Sequence, residues 1–128
     1  MIHTKEIFSR AARSAGLFQI QDEDLNELKS CLLEMMDDYL AVCRKYDLTT
    51  MVQAGTLLGA VRHKGFIPWD DDIDFLMPRK DYDTFYEIFD RELADKYVIQ
   101  TPRNEPYACF GFMKIRKKNT TFIEVETS

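Results

Sequence analysis

The sequence is poor in the residues that would form a disulfide framework or a zinc module. Its three cysteines, Cys31, Cys43 and Cys109, are odd in number, far apart and never arranged as C-x-x-C, which argues against both. The 128 residues also contain no apolar run near the roughly 20 residues that a membrane-spanning helix requires. The N-terminus has no apolar core of a secretory signal. We therefore expect a cytoplasmic protein with no membrane insertion.

Positive charge is also scarce. Lysine and arginine number 17 against 22 aspartates and glutamates, which leaves a net charge of −5. Nucleic-acid binders usually carry a basic excess, so we expect no nucleic-acid partner. The composition, 45% hydrophobic and 30% charged, is typical of a globular chain with one core. We predict a single domain over 1–128, with a helical part at 1–47 and an α/β core at 48–128.

The spacing of apolar residues predicts the order of helices and strands. Apolar side chains recur every three or four residues from Leu25 to Tyr46, which predicts a long helix that docks one stripe on a core. Shorter patterns predict a helix at 7–16, strands at 49–53 and 73–77, helices at 57–63 and 81–93, and strands at 97–100, 108–117 and 121–125. This order predicts an α+β fold in which a mixed β-sheet is backed by helices on one face.

The most informative stretch, P-W-D-D-D-I-D-F-L-M at 68–77, places four carboxylates within five positions beside an apolar strand. If the strand begins near Asp70, alternation puts Asp70, Asp72 and Asp74 on one face and Asp71 on the other. Like charges this close repel one another, so the cluster calls for a cation. Carboxylate oxygens suit Mg²⁺ or Mn²⁺. We predict Asp72 and Asp74 as metal ligands and catalytic residues, with Asp70 completing the metal shell or acting as a general base.

Three other interpretations of this stretch compete with a metal site. A solvated acidic turn is disfavoured because Ile73 and Phe75 draw the neighbouring aspartates toward a core boundary. An EF-hand loop needs glycine at its sixth position, where this sequence has Phe75. A helix cap could use one aspartate but not four. Metal binding remains the favoured interpretation.

A glycine turn lies upstream, where Gly55 and Thr56 begin a predicted helix. Backbone N–H groups and a hydroxyl at the positive end of a helix dipole form a ready phosphate site, and Arg62 adds positive charge toward the end of the helix. Taken alone, this pattern is more typical of the start of an ordinary helix with a basic C-terminal end. Together with the carboxylates, it indicates phosphoryl or nucleotidyl transfer.

The run from Gly55 to Asp74 closely resembles the signature of the LicD family, and so does K-I-R-K-K-N-T-T at 114–121. That family is similar to the nucleotidyltransferase-fold superfamily, which shares Gly-Ser/Thr followed by Asp-apolar-Asp on a strand. The matching positions here are Gly55-Thr56 and Asp72-Ile73-Asp74. The resemblance implies a nucleotidyltransferase-like sheet.

The resemblance also implies an activity. It implies metal-dependent transfer of phosphocholine, or a similar phospho-alcohol, from CDP-choline or a similar CDP-alcohol to a hydroxyl of a cell-surface glycan such as teichoic acid or lipopolysaccharide. Gly55 and Thr56 would then cradle phosphate. Lys114 and Arg116, which are two apart and so share one face of a strand, would neutralise the diphosphate, unless they form only a solvated strand end.

The family's chain continues into a segment that resembles the source of a third metal carboxylate, whereas this sequence ends at Ser128. We therefore expect a C-terminally truncated chain, with Glu124 and Glu126 as substitute ligands. Other functions stay open at this stage. They are a non-catalytic nucleotide- or metal-binding fragment, an interaction domain that presents the long helix, and a nucleotidyltransferase that uses an NTP.

Overall fold

The structure, a computed structural model, describes residues 22–107 and 110–120. Within these residues the chain order is α1 (Asp22–Lys45), β1 (Met51–Val52), α2 (Ala54–Arg62), β2 (Phe75–Leu76), α3 (Arg79–Glu92), β3 (Tyr97–Gln100) and β4 (Lys114–Lys117). The helix predicted at 7–16 and the strand predicted at 121–125 lie outside the described residues. The long N-terminal helix and the α+β class are confirmed.

Helix α1 is stabilised because its apolar stripe packs against the core. Tyr39 and Val42 near its C-terminal end are buried, at 7% and 6% exposure, whereas Leu25 and Leu28 nearer its start are only half-buried. Two residues after the last residue of the helix, Asp47 has a left-handed backbone with φ 52°. This geometry lets the N–H of Leu48 donate to the Cys43 carbonyl at 2.8 Å, which satisfies a carbonyl that the helix leaves unpaired.

The core lies between α1, α3 and the β3–β4 sheet. Phe85 and Phe89 of α3 and Tyr97 of β3 are at most 2% exposed. The ring of Tyr39 links this core to the strand that follows the acidic stretch, because its centroid lies 5.2 Å from that of Phe85 and 4.6 Å from that of Phe75. The buried hydrophobic residues of this cluster are Tyr39, Val42, Cys43, Phe85, Ile88, Phe89, Leu93, Tyr97 and Ile99.

Two polar clusters fasten α1 to the rest of the core. The Asp38 carboxylate accepts hydrogen bonds from Lys96 Nζ at 2.9 Å and from the Tyr97 hydroxyl at 2.7 Å. These two bonds, with that of Lys96 the stronger influence, lower the pKa of Asp38. Helix α1 is therefore joined to β3 by charge as well as by packing.

The second cluster joins the end of α1 to α3. The Glu92 carboxylate accepts hydrogen bonds from Lys45 Nζ at 2.7 Å and from the Tyr46 hydroxyl at 2.5 Å. The bond from Lys45, followed by that from Tyr46, lowers the pKa of Glu92 to about 2. The Glu92 side chain is 13% exposed, so this pair closes one edge of the core.

The prediction of one mixed sheet is wrong for the described residues, which form two separate antiparallel pairs. Strand β1 pairs with β2 over two residues, and β3 pairs with β4 over four. The first pair is short because α2 begins at Ala54 and Pro78 follows β2, and the second because Pro102 closes β3. Because β4 pairs only with β3, it is as short as β3 and is confined to 114–117. Residues 110–113 of the longer predicted strand lie outside any strand.

Candidate active site

The acidic loop, defined as residues 67–74, runs from the buried Ile67 to Asp74, the residue before β2. It opens with a turn in which the Asp70 N–H donates to the Ile67 carbonyl at 3.0 Å. Ile67 is 7% exposed and anchors the turn, whereas Trp69 next to the acids is 74% exposed. An apolar anchor thus holds one end of a loop in which Asp71 and Asp72 are exposed and Asp70 is half-buried.

The loop gathers the carboxylates of Asp70, Asp71 and Asp72, whose candidate ligand oxygens all lie within 4.8 Å of one another. The predicted alternation, with Asp71 on the opposite face, is therefore wrong. Strand geometry begins only at Phe75, so the period of two does not apply to the residues before it. Asp74 lies outside this group of three, and its pairing with Asp72 around a metal stays a prediction.

Asp74 instead joins the acidic loop to the start of α2 through its backbone. Its N–H donates to Thr56 Oγ1 at 2.8 Å, and its carbonyl accepts from the Gln53 N–H at 3.1 Å. Gln53 Nε2 also donates to the Phe75 carbonyl at 3.3 Å. The glycine turn and the aspartates, 16 residues apart from Thr56 to Asp72 in sequence, are therefore adjacent in space. Sequence reasoning missed Gln53, whose side chain carries no motif.

Gly55 allows one aspartate to approach the backbone of α2 closely. A Cβ atom at Gly55 would lie 2.8 Å from Asp70 Oδ2 and 3.4 Å from Asp70 Oδ1. The same Oδ2 is buried and has no hydrogen-bond donor among the described residues. Because a buried carboxylate oxygen without a donor is costly, this atom calls for a partner such as a cation.

The first turn of α2 supplies the positive end of the site. Ala54 has φ 45°, a left-handed conformation that a β-carbon disfavours, and Gln53 before it is extended. This change of direction starts the helix beside the acids, and N–H groups of a first turn have no intrahelical acceptor. Thr56 Oγ1 accepts from Asp74, so its own proton can be donated to a phosphate oxygen.

Two contacts that the sequence motifs do not reveal hold the acidic loop against its neighbours. Gly59 is buried, and a Cβ there would lie 2.5 Å from the Gly65 carbonyl oxygen. Only glycine therefore lets α2 pack against the backbone of residues 65–67, which leads into the acidic loop. Lys29 of α1 donates to the Pro68 carbonyl at 2.6 Å. The glycine could have been noticed inside a helical pattern, where it is unfavourable without a packing reason. Nothing in the sequence around Lys29 indicates its contact with Pro68.

The predicted basic residues belong to other elements than the acidic loop. Arg62 is exposed in the last turn of α2, at the opposite end of that helix from Thr56. Lys114 and Arg116 share the outward face of β4, opposite Gln100 and Val98 of β3. Arg116 Nε donates to Gln100 Oε1 at 2.5 Å. Their role in binding phosphate stays a prediction.

The residues present fit a divalent cation. Three clustered carboxylates offer hard oxygen ligands, and the buried Asp70 Oδ2 lacks any other described partner. Oxygen-only sites of this kind suit Mg²⁺ or Mn²⁺, which keep water or phosphate oxygens at the remaining positions. The acidic loop can thus hold an ion next to a helix N-terminus that favours phosphate.

Comparison with known proteins identifies the family of the chain. The sequence profile described as "LicD/FKTN/FKRP, nucleotidyltransferase domain" matches residues 47–128, more than half of the sequence. The chain belongs to the LicD family. The match covers α2, the acidic loop and both sheets, whereas α1 lies before it.

Two relatives of this LicD-family chain show how far the likeness extends. It is 42% identical over 77 residues to the lipopolysaccharide cholinephosphotransferase LicD of Haemophilus influenzae, which is 60% of this chain and 29% of that protein. It is 37% identical over 113 residues to an uncharacterized protein of Rickettsia typhi, which is 84% of this chain and 36% of that protein. The chain thus spans about a third of the length of these relatives. No solved structure matches it.

None of the described helices combines the length and apolar character needed to cross a membrane. The longest, α1, carries charged residues along its whole length.

Proposed function

We propose that the chain carries the donor-binding half of a metal-dependent phospho-alcohol transferase with a nucleotidyltransferase-like fold. The donor would be CDP-choline or a similar CDP-alcohol, and the acceptor a hydroxyl of a cell-surface glycan such as lipopolysaccharide or teichoic acid. Membership of the LicD family supports transfer, and the activity for which the Haemophilus relative is named supports phosphocholine as the group. The observation that carries the proposal is the buried, unpartnered Asp70 Oδ2 beside Gly55 at the start of α2.

The proposed reaction is an in-line displacement at the phosphorus that carries the alcohol. The acceptor hydroxyl oxygen forms the new P–O bond, the bond to the leaving CMP oxygen breaks, and the hydroxyl proton passes to a carboxylate. Asp70 would complete the metal shell or accept this proton, because its buried oxygen lies beside Gly55 at the start of α2. A divalent ion, when bound, neutralises charge that develops on the diphosphate.

The other residues would bind and orient the donor. Asp72 and Asp74, with Asp71 beside them, would hold Mg²⁺ or Mn²⁺. Gly55 and Thr56 would present backbone N–H groups and a hydroxyl to phosphate oxygens, as helix N-termini do. Arg62, Lys114 and Arg116 would contribute positive charge to the binding of the nucleotide diphosphate.

A second function has one observation in its favour, because the matching profile is described as a nucleotidyltransferase domain. The same glycine turn and aspartates would serve transfer of a nucleotidyl group from an NTP. The short length of the chain relative to its relatives also keeps open a fragment that binds nucleotide and metal without turnover. These functions differ in the nucleotide that binds and in the product that is released, so measuring both distinguishes them.

Calorimetry on the chain with Mn²⁺, CDP-choline and CTP tests the proposal, and chromatography of CMP tests turnover. We expect the metal to strengthen the binding of CDP-choline, and the chain with metal to bind CDP-choline more tightly than CTP. Loss of a direct ligand should exceed the roughly 10- to 100-fold losses caused by changes around a metal site, so Asp72→Asn or Asp74→Asn should abolish this effect of the metal on CDP-choline binding. Asp37→Asn, at an exposed aspartate of α1, is the matched control.

Each outcome selects a function. CMP release that depends on a glycan acceptor supports the transferase, and tight CTP binding without CDP-choline binding supports the nucleotidyltransferase. Metal-dependent binding of CDP-choline without CMP release supports the fragment. Unchanged metal affinity in both aspartate variants would contradict the metal site itself.

A further inference from the structure

A pair of aromatic rings lies just before β4, outside the acidic loop. The ring centroids of Phe110 and Phe112 are 5.2 Å apart, with the ring planes inclined by 36°. Neither ring belongs to the core formed by the described residues, and Phe112 is 55% exposed. Phe112 is thus exposed and Phe110 is half-buried, and the two rings lie side by side outside the core of the described residues.

The two rings already contact a cation. The Lys114 ammonium lies 4.9 Å from the Phe110 centroid and 5.7 Å from the Phe112 centroid, so one positive charge faces both rings. Aromatic faces attract cations at this distance, and recognition of quaternary ammonium groups by aromatic side chains depends on the same attraction. The geometry of this pair is therefore that of an ammonium site, with a lysine of the chain in it.

The side chains around the rings match the rest of a phosphocholine ligand. Lys114 and Arg116 lie on the outward face of β4, away from Ile115, which packs against the core. If Lys114 leaves the rings, its ammonium can pair with a phosphate a short distance away. A trimethylammonium group has no N–H to hydrate, whereas a lysine ammonium is strongly hydrated, so exchange of one for the other on the rings is favourable.

We propose that Phe110 and Phe112 bind the trimethylammonium group of a choline-bearing donor, while Lys114 moves off the rings to pair with its phosphate. The inference rests on the proposed function in taking that donor to be a CDP-linked choline. It goes further in assigning the residues that select choline over other alcohols. Ethanolamine, whose primary ammonium keeps its hydration, should bind the rings more weakly.

Titration with phosphocholine and phosphoethanolamine, followed by NMR without nucleotide or metal, tests the rings separately from the acidic loop. Replacing both rings (F110L/F112L) keeps apolar volume but removes the aromatic faces. We expect phosphocholine to bind the chain better than phosphoethanolamine, and the double variant to lose about tenfold in phosphocholine affinity. Tyr82→Leu is the matched control, because Arg79 lies 4.9 Å from the Tyr82 ring on α3, at another surface.

A second variant separates competition from simple loss of structure. Lys114→Met removes the ammonium that contacts the rings, so free choline should bind more tightly than to the unchanged chain. The same variant should bind phosphocholine more weakly relative to choline, because the partner of the phosphate is gone. Opposite effects on the two ligands cannot arise from misfolding.

Equal phosphocholine affinity of the unchanged chain and the F110L/F112L chain would overturn the proposal, as would no choline binding by the Lys114→Met chain. Ring-dependent binding of phosphatidylcholine vesicles without ring-dependent binding of CDP-choline would overturn the assignment to the donor. If CDP-choline binds with metal but equally well without the rings, the proposed function stands and this inference fails. If CDP-choline does not bind at all but phosphocholine needs the rings, the proposed function fails.

Discussion

The two sides of the molecule are built in different ways. On the side of α1, α3 and β3, Phe85, Phe89 and Tyr97 are almost fully buried. On the side of α2 and the acidic loop, Val61 and Trp69 are 65% and 74% exposed. The first side is stabilised by apolar packing, whereas the second is positioned by a few polar contacts and by glycines at close approaches. Stability and chemistry therefore depend on different residues, and substitutions should separate them.

The largest expected effect is a loss of stability on the packed side. Phe85→Ala removes a ring with 0% exposure that contacts Tyr39 and Phe89, and should cost about 3–5 kcal/mol of unfolding free energy. Urea denaturation measures it. Val61→Ala, at an exposed apolar residue of α2, should change stability by about 0.5 kcal/mol or less. Similar losses in both variants would show that the two sides are packed alike.

Gly59→Ala should give the next largest effect, on the side of the acidic loop. Its Cβ would press on the Gly65 carbonyl, and the backbone has to shift to admit it. We expect a net loss of about 1–3 kcal/mol, despite the roughly 1 kcal/mol by which alanine favours a helix. Thermal unfolding measures the change. A more stable Gly59→Ala chain would mean that the turn does not pack on α2 as described.

Gly55→Ala should have little effect on stability but should weaken metal binding. Its Cβ would meet the Asp70 carboxylate, the movable end of a side chain, so unfolding free energy should change by less than about 1 kcal/mol. Displacing that carboxylate should nevertheless weaken Mn²⁺ binding, by an amount typical of altered metal surroundings, about tenfold or more. Electron paramagnetic resonance of added Mn²⁺ measures it. Undiminished Mn²⁺ affinity would exclude Asp70 from the metal site.

The smallest effect concerns the pH dependence of stability on the packed side. The pKa of Glu92 is lowered from 4.5 to about 2, first by the hydrogen bond from Lys45 and then by that from Tyr46. The folded protein therefore binds fewer protons, and this contribution to stability is complete above pH 4.5 and lost as the pH falls toward 2. Glu92→Gln should flatten the stability profile in that window.

Unfolding measured as a function of pH tests this expectation. Glu87→Gln, at an exposed glutamate on the same helix, should leave the profile unchanged. A Glu92→Gln profile with the original slope would show that the carboxylate is not held as the structure describes.

The helices could be predicted from the sequence because each carries a periodic stripe that packing must cover. The stripe from Leu25 to Tyr46 and the helix predicted at 81–93 match α1 and α3 closely. Sheet pairing depends instead on where the chain turns. The single mixed sheet was wrong because Pro102 and the start of α2 cut the strands short.

The site was predictable in its composition but not in its arrangement. The motif placed Gly55 and Thr56 near the aspartates, and the hydrogen bond from Asp74 to Thr56 shows the contact. The alternation of Asp71 failed because a turn, rather than a strand, carries the carboxylates. Lys29 could not be foreseen, because its partner is a backbone carbonyl 39 residues away, and backbone carbonyls carry no sequence signal.

Trp69 gives the protein an optical probe of its own. It is the single tryptophan in the sequence and lies 74% exposed, directly before the three clustered aspartates. Indole emission depends on contact with water and on nearby charge, so fluorescence excited at wavelengths that tyrosine does not absorb reports on this one loop. Such emission offers a label-free way to watch, in real time, whether an added cation reaches the aspartates.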